Sequence, residues 1–219
     1  MTNEKSPPGA HHTLLTCGRI EAALKLPLPG RTAQIQMAPV PRPLDPPAAG
    51  DPVRRAGVLL LLYGAPDGRL CLVLTRRTEE VAAHKGQVSF PGGAVESGDA
   101  STQETALRET CEEIGVCGQE VRFLGSLTPV YIAPSNFCVH PHVARLPQRP
   151  PFVLQPSEVA ELLEVPVDHF LGGRNRGVED RIIRGMPVRV PYFDVFGHKV
   201  WGATAMVLAE FAAVLRTAG

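Results

Sequence analysis

Residues 57–76 carry two apolar runs, GVLLLLYG and RLCLVLTR, on either side of a short APDG turn. Short apolar runs bounded by turn formers predict two buried strands of a hairpin. A loop containing His84 and Lys85 follows, then a short strand, QVSF, and a Pro91-Gly92-Gly93 turn. Ser101 stands three residues before Glu104, a capping-box spacing that predicts a helix from Thr102 to about Ile114, stopped at Gly115. Strand-like runs VRFLGSLTPVYI and NFCVHPHVARL come next, then a proline cluster between Pro147 and Pro156. SEVAELLEVPVDHFL mixes a short strand or turn with a helix start, and VRVPYFDVFGHKVWG predicts a hairpin turning at Phe196–Gly197. GATAMVLAEFAAVLRTAG has the apolar spacing of a closing helix. Strands and helices in mixed order predict an α/β fold, a mixed β-sheet between helices.

The N-terminal quarter reads differently. Residues 1–52 hold ten of the 22 prolines. HTLLTCGRIEAALKL is spaced for a short amphipathic helix ending before Pro27. Proline lacks an N–H and fixes φ, so Pro27 to Pro52 is neither a continuous helix nor a central strand. It is expected as an extended arm lying on the domain of residues 53–219 or on a partner subunit, or else as a disordered tail. The arm leaves room for a homodimer.

Charge and cysteines narrow the setting. Lys+Arg and Asp+Glu are equal at 22 each, which argues against a general nucleic-acid or anionic-membrane binder. The first residues lack the apolar run of a signal peptide, and Val58–Leu62 is far too short to span a bilayer. Cys17, Cys71, Cys111, Cys117 and Cys138 form no CxxC pair. An odd count without a secretory signal points to reduced thiols in a cytoplasm, most of them small apolar fillers.

The local charge pattern carries the chemistry. On a helix turning about 100° per residue, Glu109, Glu112 and Glu113 fall within an arc of roughly 100°, with Glu104 nearly opposite at the cap. Ala106, Leu107, Cys111 and Ile114 supply an apolar side. Like charges so close cost a few tenths of a kcal/mol per pair, about 0.2–0.5. Either the face is simply solvated, or a hard divalent cation such as Mg²⁺ neutralises it and shares phosphate oxygens as further ligands. The Gly92-Gly93 turn favours the cation: its backbone can approach closely and offer carbonyls to the metal shell. Arg108 can hold one of the carboxylates in place.

These residues resemble the Nudix hydrolase signature, G-x5-E-x7-R-E-U-x-E-E-x-G-U with U aliphatic, at Gly93, Arg108, Glu109, Glu112, Glu113, Gly115 and Val116. Asp99 stands where the first glutamate is expected, one extra residue separates it from Arg108, and Thr110 replaces an aliphatic residue. The upstream run VLTRRTEEVAAHKGQVSFPGG resembles the longer motif of the coenzyme A pyrophosphatase subgroup at Thr75, Arg77, Gly86, Phe90, Pro91, Gly92 and Gly93. Thr78 and Ala82 depart from it, Ala82 in place of an arginine.

The resemblance implies an α/β/α sandwich and Mg²⁺- or Mn²⁺-dependent cleavage of a diphosphate bond, with more than one ion. Coenzyme A or acyl-CoA is the first substrate candidate. ADP-ribose, NADH or a dinucleoside polyphosphate is the alternative, and a non-catalytic nucleotide sensor the alternative of another class. Glu109, Glu112, Glu113 and the Gly93 carbonyl are the expected metal ligands, with Arg108 supporting them. The resemblance also implies a further carboxylate as base or extra ligand, Glu158 first and Glu161 second. Arg77, Lys85, Gly92 and Gly93 are the expected substrate contacts. His140 and His142, two apart on a strand, are expected to be structural or solvent-facing. Tyr131, Phe137 and Trp201 are core or adenine-stacking candidates.

Overall fold

The computed structural model describes residues 15–46, 52–78, 86–118 and 120–219. Lys85, His84 and Ala82 lie outside the described residues. The organising element is β1 (Arg54–Gly64). It pairs antiparallel with β2 (Leu70–Arg77), as the two apolar runs predict, and parallel with β7 (Phe137–Arg145). Its first half pairs antiparallel with the short β4 (Gly92–Ala94). The strands β3 (Val88–Ser89) and β8 (Val159–Pro166) join β2, and β5 (Arg122–Ser126) and β6 (Val130–Ile132) join β7. The result is one mixed eight-stranded sheet.

Side chains of β1 alternate between two cores, so the continuous apolar run is a strand buried on both faces. Leu60 and Leu62 face one core with α1 (Cys17–Leu24) and α4 (Gly202–Ala218). Leu59, Leu61 and Tyr63 face the other, with Ala106 and Ile114 of α3 (Thr102–Ile114). The four leucines are wholly buried, and each contributes on the order of 2–3 kcal/mol of transfer free energy.

β9 (Arg176–Ile183), β10 (Met186–Val195) and β11 (His198–Trp201) form a separate three-stranded sheet. Its two-residue turns, Arg184–Gly185 and Phe196–Gly197, have positive φ at both positions, the hand that matches strand twist.

Residues 17–24 form the expected helix. Residues 27–46 of the proline-rich segment lie on the domain, where the chain makes a helical turn, α2 (Gly30–Gln34), and a 3-10 turn, Ile35–Met37, before becoming extended at Ala38 and bridging Val40 to Arg189. Prolines end helices but permit single turns between them. Ile20, Leu24, Met37 and Ala38 enter the α4 core. The wholly buried carboxyl of Glu210 on α4 fastens this segment, accepting from Gly30 N (3.1 Å), Gln34 Nε2 (2.8 Å), Thr128 N (3.2 Å) and Thr128 Oγ1 (2.7 Å).

One expectation is corrected here. Cys111 and Cys117 are not reduced thiols but a disulfide, with Cα atoms 4.5 Å apart. Gly115, at φ 74°, turns the chain back at the end of α3 and brings Cys117 over Cys111. Cys17, Cys71 and Cys138 are free. No helix among the described residues is long and apolar enough to cross a membrane.

Candidate active site

α3 begins as its sequence predicts. Ser101 Oγ accepts from Glu104 N at 3.1 Å, while the Glu104 carboxylate reaches one residue further back than a capping box requires, to Ala100 N at 2.9 Å. The helix lies against β1 at Gly57, where a Cβ would sit 1.9 Å from the Thr102 carbonyl oxygen. The imidazole of His142, on β7, fixes the same end through Thr102 Oγ1 (3.0 Å) and Ser126 Oγ (2.9 Å). Burial and neighbouring His140 hold His142 neutral, its pKa lowered to about 4. This is the structural role expected of it.

The Pro-Gly-Gly turn delivers β4 to the flank of α3. Gly92 has φ 145°, outside the range of other residues. Gly93 is pressed against Glu109: a Cβ there would lie 2.4 Å from Glu109 Oε1. Gly92 N donates to Glu113 Oε2 at 3.3 Å, and Arg77 Nη1 stands 3.6 Å from Glu113 Oε1. Glu113 is only 3% exposed, and burial pushes its carboxyl up to about pKa 8 against the pull of Arg77. Burial likewise raises Glu109, against the pull of Arg108, and Glu158 adds negative potential at both acids.

The expectation of three carboxylates aimed at one point is corrected. Among the described residues no three acidic, histidine or cysteine side chains converge as a ready metal cluster. Glu112 is 57% exposed and turned to Arg108 Nη1 at 3.0 Å, away from buried Glu113. Neighbouring helix positions diverge by about 100°, and Arg108 decides which way the exposed one leans. Arg108 also contacts Glu109 Oε1 (3.0 Å), the Ala94 carbonyl (3.3 Å) and both oxygens of Asp99.

The remaining candidates separate by sheet face. Arg77 points to the α3 face, and its Nε is buried without a hydrogen-bond partner among the described residues. Glu158 precedes β8, its carbonyl accepting from Thr78 N at 3.0 Å. Glu161 pairs with Arg76 (2.9 Å) and His198 (3.4 Å). By strand alternation it shares the α4 face with Leu163 and Val165, so the fold does not bring it to Glu113. Tyr131 donates to Asn136 Oδ1, Phe137 lies under Arg54 and Trp201 under Arg181. Sequence reasoning did not assign Asp99 to Arg108 or find Gly57; the small residue inside an apolar run was the available signal for the latter.

Buried Glu113 and half-buried Glu109 have a third acid in electrostatic range. They are answered among the described residues by Arg77, 3.6 Å from Glu113, and by Arg108, 3.0 Å from Glu109 but shared with Asp99 and Glu112, which leaves the pocket short of positive charge. Its donors are oxygens, including glycine backbone, which fits a hard divalent cation.

A NUDIX domain model matches residues 53–184. An uncharacterized Nudix hydrolase NudL of Photorhabdus laumondii is 36% identical over 179 residues, 82% of this chain and 91% of that protein. Nudix hydrolase 15, mitochondrial, of Arabidopsis thaliana is 35% identical, over 77% of this chain and 62% of its own length. The crystal structure of a MutT/nudix family protein from Enterococcus faecalis shares the fold with a TM-score of 0.51 at 16% identity, over 78% of this chain and 65% of that one. The α/β/α sandwich, the signature helix against its glycine turn and these likenesses agree: the chain belongs to the Nudix family of diphosphate-cleaving hydrolases.

Proposed function

We propose that this protein hydrolyses the diphosphate bond of a nucleoside diphosphate compound such as ADP-ribose, NADH or a dinucleoside polyphosphate, using Mg²⁺ or Mn²⁺. The observation that supports this is the pairing of buried Glu113 with half-buried Glu109 against Gly92-Gly93, answered only by Arg77 and by an Arg108 that Asp99 and Glu112 share. Glu109, Glu113 and the Gly93 carbonyl would hold metal, with Glu112 joining on release from Arg108. When bound, the ions supply charge neutralisation on the phosphates and a more acidic water.

This chain's own residues do the rest. The Nε–H of Arg77, without a partner among the described residues, donates to a phosphate oxygen and orients the diphosphate for in-line attack. Glu158, outside the ion pairs that occupy Glu161, takes the proton of the attacking water at its carboxylate. Arg108 holds Glu109 in register with Gly93.

A second reading, coenzyme A or acyl-CoA as substrate with 3′,5′-ADP and (acyl-)4′-phosphopantetheine as products, has one observation in its favour. The upstream motif residues are built into the frame of the pocket: Thr75 and Phe90 are buried, and Thr75 Oγ1 reaches the Ser89 carbonyl just before the glycine turn.

Product analysis on a panel of these compounds, with and without EDTA, tests both readings. Metal-dependent release of a nucleoside monophosphate product supports the first. An intact panel removes it and leaves a nucleotide sensor; intact coenzyme A beside cleaved ADP-ribose removes the second. Glu113→Gln is expected to slow turnover at least about a hundredfold.

A further inference from the structure

The Cys111–Cys117 disulfide closes a ring that contains Glu112, Glu113, Ile114, Gly115 and Val116. Two acids of the signature helix therefore lie inside a covalent loop. The loop sits where a helix is weakest, at its last turn, whose carbonyls lack partners within the helix. Three other bonds hold that turn: Gly115 N to the Cys111 carbonyl (2.9 Å), Val153 N to that of Ile114 (3.0 Å) and Gln155 N to that of Glu113 (2.9 Å). The last two tie the helix end to the segment that leads into Glu158, and Glu158 N itself donates to the Gln155 carbonyl at 3.0 Å. Ile114 and Val116 anchor the ring from inside, in the α3 core. On its outer side Cys117 is an exposed residue.

We propose that Cys111 and Cys117 are a thiol-responsive clamp on the catalytic helix: the disulfide holds the turn bearing Glu112 and Glu113, and its reduction loosens that turn and slows hydrolysis. The effect on rate rests on the diphosphatase reading; the effect on local order does not. The reductant is a dithiol. One of its thiolates attacks Sγ of Cys117, the S–S bond breaks, and Cys111 leaves as a thiolate that takes a proton from solvent. The second thiol of the reductant then displaces the Cys117 sulfur, which also ends protonated. The protein gains two electrons and two protons, and the dithiol becomes a disulfide.

The full chain is prepared oxidised and, separately, after treatment with dithiothreitol, both free of metal. Alkylation in denaturant followed by mass measurement should tag only Cys17, Cys71 and Cys138 in the first sample, and Cys111 and Cys117 as well in the second. Amide hydrogen exchange should then be faster in the reduced sample across 111–118 and 153–158, and unchanged in β1. With metal and substrate, reduction should lower the rate at least about threefold and raise the metal concentration needed for half-maximal rate. A Cys111→Ser, Cys117→Ser variant should behave as the reduced protein under both conditions, while Cys138→Ser keeps the response. Full alkylation of Cys111 and Cys117 in the oxidised sample would overturn the proposal. So would identical exchange in the two samples. A protein inactive on every substrate but with the exchange difference intact would remove the diphosphatase reading and leave the clamp standing.

Discussion

Asp99 grips Arg108 with both carboxylate oxygens, Oδ1 accepting from Nε and Oδ2 from Nη2, each at 3.1 Å. Thr105 Oγ1 and Glu96 N add further bonds to Oδ2, and Arg108 above all holds the Asp99 carboxyl well below the usual carboxylate range. This leaves Nη1 of Arg108 to Glu109 and Glu112, each at 3.0 Å. Asp99→Asn keeps the shape but removes the charge that fixes this guanidinium. Metal affinity, read from the rate as a function of Mg²⁺, should fall about 10- to 100-fold, the range for groups that orient ligands. An unchanged titration would mean that Arg108 holds its place without Asp99.

Two glycines should separate function from folding. An alanine Cβ at Gly93 meets the tip of Glu109, a side chain that can swing away. Gly93→Ala is expected to fold normally, by circular dichroism and melting temperature, while losing at least about a hundredfold in rate. At Gly57 the obstacle is the Thr102 carbonyl, 1.9 Å from the new Cβ, which is helix backbone. Gly57→Ala should lower the melting temperature sharply, because α3 must move as a body.

These contrasts show what the sequence could and could not carry. The β1–β2 hairpin, α3 with its Ser101 and Gly115 ends, the Phe196–Gly197 turn and α4 were legible because each rests on local rules: apolar runs, caps and turn formers. The strand Arg176–Ile183 was not, because charged and apolar residues share its exposed face with only partial burial behind it. At the site, angular spacing along α3 placed three acids on one side but could not see Arg108 drawing Glu112 outward or burial drawing Glu113 in. Glu158 was placed ahead of Glu161 with no local signal to separate the two. The register of β8 on β2, a long-range pairing, puts Glu161 beside Arg76 on the other face.

The Glu210 carboxyl accepts from four donor groups and is wholly buried, so truncation strands buried N–H and O–H groups together. Glu210→Ala is expected to cost about 3–5 kcal/mol in urea unfolding, and Glu210→Gln less, since the amide oxygen still accepts. Glu210 lies on the α4 side of the sheet, so the rate measured at a temperature where the variant is folded should stay near that of the parent. A variant as stable as the parent would show that the N-terminal segment contributes little to the fold.

Acid should act on stability through His142. Its pKa, about 4 when folded, lies below the ordinary histidine value, chiefly because it is buried, and His140 adds to the shift. The unfolded chain therefore binds a proton that the folded protein refuses between about pH 6.5 and pH 4. The stabilisation is fully present above the unfolded value and is lost as pH falls through this window. A shift of this size corresponds to on the order of 3 kcal/mol. Urea unfolding of the parent and of His142→Gln at about pH 7 and about pH 4.5 isolates the contribution, because other titrating groups are common to both. The parent should lose on the order of 2 kcal/mol more than the variant over that interval. Parallel losses would mean that the imidazole linking Thr102 to Ser126 accepts a proton without leaving its place.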